Sequence, residues 1–189
     1  MFLFRRPTNF EIEKFIDQSR KLPLSYARVG IAKNSPDGFK LDTAAGIAGR
    51  GQCAFDAARC ALTEWRHFDL GWVELYPRSA PVEPGTTLAV LIRHPGLWSL
   101  NGCRVVYSVG DGEVSAGFAY GTLTNHAEMG EEIFQVSIAP VTKEVTYEIR
   151  AVSKPRAALA RIGYPYVRFC QSRFRRDSIA AMRRAVGIR

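Results

Sequence analysis

Residues 103–123 have the sequence CRVVYSVGDGEVSAGFAYGTL, in which two runs rich in apolar and aromatic residues flank Asp111-Gly112. An Asp-Gly pair in this setting is a strong signal of a β-hairpin, because glycine accepts the positive φ angle that a tight turn requires. We therefore predict strands at Cys103–Val109 and Val114–Leu123. They must be antiparallel, since a parallel return would need a crossover of about a dozen residues or more.

Similar runs lie on both sides of this hairpin, each bounded by turn residues. The further predicted strands are Gly71–Tyr76, Thr87–Arg93, Glu131–Ile138 and Glu144–Val152. In the last of these, apolar residues alternate with polar ones, which is typical of a sheet with one wet face and one face to be covered. The alternating apolar residues are Val145, Tyr147, Ile149 and Ala151.

A long C-terminal helix is the predicted cover for this sheet. From Tyr166 to about Val186, apolar residues recur at helical spacing. They are Val167, Cys170, Phe174, Ala181, Met182 and Ala185. Pro155 is predicted to start a preceding helical stretch that Gly163 and Pro165 interrupt.

The N-terminal third contributes two more predicted helices and one strand. Thr8 and Glu11 have the spacing of a capping box, which predicts a helix from Asn9 to about Ser19. Its apolar side is Phe10, Ile12, Phe15 and Ile16. Leu24–Ala32 is the first predicted strand, followed by a loop that contains Gly46 and ends at Gly51. A second helix is predicted from Gln52 to about His67, with a buried stripe of Phe55, Ala58, Leu62 and Trp65.

Several motifs resemble a family of uncharacterised conserved proteins from bacteria and plants, known only as a domain of unknown function. They include YARVG at 26–30, LGW at 70–72, GFAYGTL at 117–123 and HAEMGEEIF at 126–134. The resemblance covers nearly the whole chain. It implies a fold and a cytoplasmic setting, and no activity.

The predicted order of elements defines the fold class. It is an α+β chain with a curved antiparallel sheet of about seven strands, packed on a long C-terminal helix, and an extra N-terminal helix. We expect residues 1–189 to form a single domain. The order is similar to the helix-grip architecture of START-type and pollen-allergen-like proteins, which implies an apolar cavity between sheet and helix. Function does not follow from that likeness alone.

Composition excludes several classes of protein. Of the 189 residues, 47% are hydrophobic and 23% are charged, which is ordinary for a globular chain. No apolar run approaches the roughly 20 residues of a membrane span, so we expect a cytoplasmic protein. The four cysteines and three histidines lack metal-ligand or redox spacing, and we expect no metal, no other cofactor and no disulfide.

The net charge of +8 is concentrated near the C-terminus. Such an asymmetry can mark an anionic partner such as a nucleic acid. The candidate residues are Arg168, Arg173, Arg175, Arg176, Arg183 and Arg184. The alternative is that they form the solvated face of an amphipathic helix.

Residues 120–134 hold most of the candidate chemistry, with His126 and three carboxylates close together. If Phe134 faces the core, strand alternation turns Glu132 the same way, and an inward carboxylate needs a partner or a proton. Arg28 or Arg104 could supply that partner. The candidate ligand-binding residues are Arg28, Arg104, Tyr120, His126, Glu128, Glu131 and Glu132.

Three functions remain open from the sequence. The first is binding of a small apolar or amphipathic ligand between sheet and helix. The second is binding of nucleic acid or another anionic surface by the last helix. The third is acid-base catalysis by Glu132 with His126, in which His126 titrates near neutral pH and burial raises the pKa of Glu132. Against catalysis stands a structural role, in which a carboxylate binds backbone amides and His126 fixes the turn.

Overall fold

A computed structural model describes residues 1–156 and 163–187. The strands are β1 (Phe2–Leu3), β2 (Lys40–Arg50), β3 (Val73–Tyr76), β4 (Thr87–His94), β5 (Leu97–Val109), β6 (Ser115–Thr122), β7 (Glu128–Ile138) and β8 (Glu144–Pro155). The helices are α1 (Asn9–Ser19), α2 (Ile31–Asn34), α3 (Gln52–Thr63) and α4 (Tyr164–Val186), with a 3₁₀ turn at Arg66–Phe68.

Seven strands form one curved antiparallel sheet in the order β2-β8-β7-β6-β5-β4-β3. The short β1 pairs with the start of β5, on the edge that β6 does not reach. The sheet wraps around α4, which is the helix-grip arrangement. The α+β class, the antiparallel strands and the covering C-terminal helix predicted from the sequence are all confirmed.

The hairpin at Asp111-Gly112 joins β5 to β6 as predicted. Asp111 Oδ1 accepts hydrogen bonds of 3.0, 3.0 and 3.1 Å from the backbone N–H groups of Glu113, Val114 and Ser115. An aspartate that binds the backbone just after itself mimics a turn and fixes it. Gly112 has the positive φ angle, 84°, that the turn requires.

The inner face of the sheet forms the main core with α3 and α4. Its strands supply alternate apolar side chains, among them Phe118, Phe134, Val136, Tyr147 and Ile149. The buried stripe predicted for α3 packs against them, since Phe55, Ala58, Leu62 and Trp65 are at most 3% exposed. Burial of this apolar surface is the main term that holds the sheet and the helices together.

Strand β2 packs against α4 at very short range. A Cβ atom on Gly46 would overlap Ile179 Cγ2 of α4, and one on Gly49 would lie 2.6 Å from the Cβ of Ala54 on α3 and 3.3 Å from Val186 Cγ1 on α4. The backbone of β2 therefore packs directly against the helices, and glycine at these two positions permits this close approach.

The outer face is covered in two places rather than wet throughout. Helix α1 packs on β4 and β5 through Ile12, Phe15 and Ile16. Helix α2 packs on β7 and β8, where Ala32 meets Ile133. The expectation of one wet face is therefore wrong at these two patches.

The predicted capping box of α1 is present. Thr8 Oγ1 accepts from the Glu11 N–H at 3.3 Å, and Glu11 Oε2 accepts from the Thr8 N–H at 2.8 Å. Phe10 was expected on the buried side, but it is 73% exposed. It is the second residue of the helix and lies on the side opposite the i, i+3, i+4 stripe of Ile12, Phe15 and Ile16.

Three element predictions are wrong. Leu24–Ala32 is not a strand, since only Leu24 makes an isolated bridge, to Leu123. The predicted loop before Gly51 contains the eleven-residue strand β2. Pro155 ends β8 instead of starting a helix, and the rest of that predicted stretch, up to residue 162, lies outside the described residues.

None of the helices in the described ranges is both long and apolar enough to cross a lipid bilayer.

Candidate functional site

A cavity of about 520 Å³ lies between the inner face of the sheet and α4. One wall is apolar and comes from the 3₁₀ turn, β3, β4 and α4. Its side chains include Phe68, Trp72, Val90, Ile92, Val167 and Phe174. The opposite end is polar, and its geometry decides what the cavity can bind.

Four side chains of the polar end form a row across the sheet. Asp42 on β2 pairs with Ala151 on β8, Ala151 pairs with Glu132 on β7, and Glu132 pairs with Tyr120 on β6. All four border the cavity. Because directly paired residues project to the same face, this row follows from the register of the sheet.

Glu132 is the most perturbed carboxyl group in this row. Burial raises its pKa to about 7, although the Tyr120 hydrogen bond and the positive charge of Arg175 oppose the rise. Tyr120 Oη donates to Glu132 Oε2 at 2.8 Å, the sole hydrogen bond that the described residues give this carboxylate. The group therefore changes its protonation near neutral pH.

Two arginines of α4 face this row from the other wall. Arg168 binds Asp42 with both terminal nitrogens, and Nη2 lies 2.5 Å from Oδ1. Arg175 Nη2 lies 3.6 Å from the same Oδ1, and its side chain is 13% exposed. Burial favours a raised pKa for Asp42, but the two arginines outweigh it and hold that pKa below its ordinary value.

Glu128 is the second carboxyl group of the polar end. Burial raises its pKa, and the Gln171 side chain opposes the rise by donating to Oε1 at 2.7 Å. Gln171 also donates to Ser153 Oγ at 3.2 Å. This contact fastens α4 to the sheet at the edge of the cavity.

His126 borders the same cavity as a neutral side chain. Its Nδ1 accepts a 2.9 Å hydrogen bond from the Glu128 N–H. Burial, with the nearby N-terminal charge, lowers its pKa to about 3. The hypothesis that His126 titrates near neutral pH is therefore wrong, because desolvation disfavours the imidazolium form.

A family model described as a domain of unknown function, DUF1990, matches residues 25–181. The chain belongs to this family. A UPF0548 protein of Dictyostelium discoideum is 32% identical over 208 residues, covering 99% of this chain and 96% of the relative. A UPF0548 protein of Deinococcus radiodurans is 30% identical over 201 residues, covering 99% of this chain and 100% of the relative.

Solved structures share the fold of this DUF1990 chain at low sequence identity. A hypothetical protein from Helicobacter pylori has a TM-score of 0.53 at 9% identity and covers 85% of this chain and 94% of its own. The di-domain ARO/CYC BexL from the BE-7585A biosynthetic pathway has a TM-score of 0.52 at 16% identity. It matches over 82% of this chain and 52% of its own length.

The predicted site residues of the DUF1990 chain divide between the two faces of the sheet. Tyr120, His126, Glu128 and Glu132 border the cavity, so the structure brings them together. Glu131 also borders it, but its carboxylate accepts four hydrogen bonds. Two come from the hydroxyls of Tyr26 and Tyr107, and two from backbone N–H groups at the start of α2. Glu131 has the structural role that the sequence left open as an alternative.

Neither arginine expected to pair with Glu132 reaches it. Arg28 is exposed to solvent outside the cavity. Arg104 lies on the outer face, where it donates to the carbonyl oxygens of Ser19 and Arg20 at 3.3 and 3.0 Å, at the end of α1. The prediction failed because Arg104 follows Cys103, whose side chain faces inward, and alternation sends its neighbour outward.

Sequence reasoning missed Asp42 and Gln171, and it assigned Arg168 and Arg175 to a different partner. Asp42 lies in the segment that was predicted as a loop. The helical residues had a usable signal, since Arg168, Gln171 and Arg175 are spaced i, i+3 and i+7 and therefore share one face. Gln171 and Arg175 border the cavity opposite Glu132, and Arg168 binds Asp42 beside it.

The remaining arginines of α4 lie away from the cavity and also contact the chain. Arg173 stacks over the Trp72 ring at 4.4 Å and lies 3.3 Å from Asp177. Arg176 pairs with Asp177 at 3.0 Å. Arg183 donates to the Ile47 carbonyl at 2.8 Å. Binding of an anionic partner through these arginines and Arg184 stays a prediction.

Within residues 1–156 and 163–187, no group of three His, Cys, Asp or Glu side chains is placed to hold a metal ion.

Proposed function

We propose that this protein binds a small apolar or amphipathic molecule between the sheet and α4. The observation that carries the proposal is the cavity of about 520 Å³ with an apolar wall and Glu132 at its polar end. Ligand sites in proteins are commonly about 300–1,000 Å³ and combine apolar walls with a few polar groups.

The polar end of the cavity lowers the stability of the fold, which supports a role for it in ligand recognition. A half-buried carboxyl group that receives one hydrogen bond from the described residues destabilises a fold, and an apolar residue at position 132 would avoid that loss. Rules of folding are broken mainly where function requires it. Glu132, Glu128 and Arg175 together offer a ligand both hydrogen-bond donors and acceptors.

The arrangement suggests how the ligand lies. Its apolar part packs on Trp72, Phe68 and Phe174, where burial of apolar surface contributes roughly 25 cal/mol per Å². Its polar group meets the row of Tyr120 and Glu132. This orientation predicts that apolar molecules with one polar end bind more tightly than plain hydrocarbons.

Native mass spectrometry of protein purified from its own host, and thermal shift with fatty acids, isoprenoids and aromatic compounds, test the proposal. A ligand at 100 times its Kd should stabilise the protein by about 2.7 kcal/mol. Ala151→Phe places a ring in the cavity between Asp42 and Glu132 and should abolish the shift. Ala45→Phe is the matched control, since Ala45 lies on the outward, exposed side of β2.

Two outcomes would remove the proposal. One is that no compound stabilises the wild-type protein and none copurifies with it. The other is that Ala151→Phe, shown by circular dichroism to be folded, binds the ligands as well as Ala45→Phe does.

A further inference from the structure

Glu132 and Arg175 approach the polar end of the cavity from opposite walls. Glu132 projects from β7 and accepts a hydrogen bond from Tyr120 alone among the described residues. Arg175 projects from α4, and the same residues give it one contact, a 3.6 Å ion pair with Asp42 that is too long for a hydrogen bond. An acceptor and a set of guanidinium donors therefore both face the cavity with binding capacity to spare.

We propose that this protein catalyses proton transfer at a carbon next to a carbonyl group, with Glu132 as the base and Arg175 holding the carbonyl oxygen. The substrate class is an apolar or amphipathic ketone. The proposal rests on the proposed ligand-binding function, because the ketone must occupy the same cavity.

The step balances without a further reactant. The Glu132 carboxylate takes a proton from the α-carbon, and the electron pair of the broken C–H bond forms the C=C bond of an enolate. The carbonyl π pair moves onto oxygen, where N–H groups of Arg175 stabilise the negative charge. Protonated Glu132 exchanges its hydrogen with solvent, delivers one to the same carbon or to the far end of a conjugated double bond, and becomes a carboxylate again.

The protonation state of Glu132 fits this role. Burial raises its pKa to about 7, so both the base and its conjugate acid are populated near neutral pH. The titratable and charged groups that act on it or face the same end of the cavity are Asp42, Cys103, Tyr120, His126, Glu128, Tyr147, Arg168 and Arg175. Tyr120 is a positioning residue, since it orients the carboxylate and lowers its pKa.

His126 does not serve as the partner of Glu132 in this reaction. Its Nδ1 is occupied by the Glu128 N–H, and burial lowers its pKa to about 3. A histidine that stays neutral through the physiological range gives no charge to an enolate oxygen. The guanidinium group of Arg175 does.

Deuterium uptake from D₂O into the α-positions of 2-tetralone, 2-dodecanone and progesterone tests the inference, with NMR as the readout. Wild-type protein should accelerate uptake above buffer, and the rate should rise through about pH 7 as Glu132 ionises. Glu132→Gln should lose about 10²-fold or more of the rate. Arg175→Gln should lose about 10²-fold, and Arg175→Lys should recover part of it.

The variant Tyr120→Phe distinguishes a positioning role of Tyr120 in the reaction from a purely structural role. Loss of the hydrogen bond that favours the ionised carboxylate should move the midpoint of the pH profile upward, which a purely structural role would not do. Glu148→Gln is the matched control, because Glu148 is an exposed carboxylate on the outward side of β8, and it should leave the rate unchanged.

The outcomes distinguish the two proposals. If ketones bind but uptake in Glu132→Gln equals that of wild type, the catalytic inference is overturned and ligand binding stands. If other ligands bind and no ketone does, the inference is also overturned. If nothing in the ligand panel binds at all, the proposed function itself has failed.

Discussion

The Tyr120 hydroxyl donates a 2.8 Å hydrogen bond to Glu132 Oε2 across directly paired positions of β6 and β7. This bond stabilises the ionised carboxyl group but does not offset its burial, since the pKa of Glu132 is still raised to about 7. The residue therefore carries a stability cost that depends on pH.

We expect Glu132→Gln to stabilise the protein at pH 8. The carboxyl group of Glu132 ionises near pH 4.5 in the unfolded chain and near pH 7 in the folded protein. The free energy of unfolding therefore falls as pH rises through this window. The gain in free energy of unfolding should reach at most about 3 kcal/mol at pH 8, less if water enters the cavity, and should vanish near pH 4. Urea unfolding at both pH values measures it. A variant less stable than wild type at pH 8 would contradict a carboxyl group whose pKa is raised by desolvation.

Glu131→Gln should have the opposite effect one residue away. The Glu131 carboxylate accepts from Tyr26, Tyr107 and the backbone N–H groups of Gly30 and Ala32, at distances of 2.6 to 3.1 Å. A glutamine amide would turn an NH₂ group toward these donors, which leaves some of them unsatisfied and costs about 3 kcal/mol.

Urea unfolding of Glu131→Gln beside Glu132→Gln at pH 8 gives this comparison. The two variants remove the same charge from the same strand, so general electrostatics should affect them alike. Opposite signs would therefore report the two different environments. Equal changes in the free energy of unfolding would show that the contacts of Glu131 contribute little.

The sequence was sufficient for the part of the fold that depends on alternation and turns. The hairpin at Asp111-Gly112 and the strands around it follow from local chemistry, and so does the inward side of Glu132. The partners of Glu132 could not be found in this way. Arg175 is distant in the chain, and only the tertiary packing of α4 on the sheet brings it to the cavity.

The largest failure concerns β2. Gly46 and Gly49 make its sequence resemble a loop, because glycine usually marks turns and weakens strands. Here they allow close contact with α4 and α3, and a local sequence pattern does not reveal such a tertiary contact. Missing β2 also hid Asp42, the residue that binds Arg168.

Gly46→Ala tests that explanation. Its Cβ would overlap Ile179 Cγ2, so α4 must move, and overpacking of this kind costs about 1–3 kcal/mol. Ile179→Ala in the same chain should recover part of the loss, because it removes the atom that is overlapped. Denaturant unfolding of the two single variants and the double variant gives the coupling energy. Strictly additive effects would mean that Gly46 is not a contact residue.

The anionic-partner hypothesis predicts binding that falls steeply with salt, because phosphate contacts release counterions. Only the outward arginines are placed for such contacts, since Arg168 and Arg175 face Asp42. Replacing both Arg183 and Arg184 by Gln should then lower the slope of log K against log salt by about two. Fluorescence anisotropy with a labelled oligonucleotide measures this. A flat salt dependence would exclude the hypothesis.

His67 is the last candidate for a pH-dependent stability term. It is fully buried beside Phe134 and Phe68, at ring distances of 4.7 and 4.8 Å, and neither ring nitrogen has a hydrogen-bond partner among the described residues. Burial lowers its pKa to about 3, whereas the unfolded side chain takes up a proton near 6.5. Stability is therefore lost as pH falls below about 6.5, at up to about 1.4 kcal/mol per pH unit.

His67→Phe should remove that loss. The phenyl ring keeps the aromatic packing with Phe134 and leaves no unsatisfied nitrogen, so the variant should gain about 1–3 kcal/mol at pH 7 and more at pH 5. Urea unfolding at pH 7 and pH 5 checks both numbers, and His94→Phe is the comparison, because His94 has a hydroxyl partner for each ring nitrogen. If wild type and His67→Phe lose the same stability between pH 7 and pH 5, His67 either takes up a proton in the folded state or is solvated there, and the dry aromatic site is wrong.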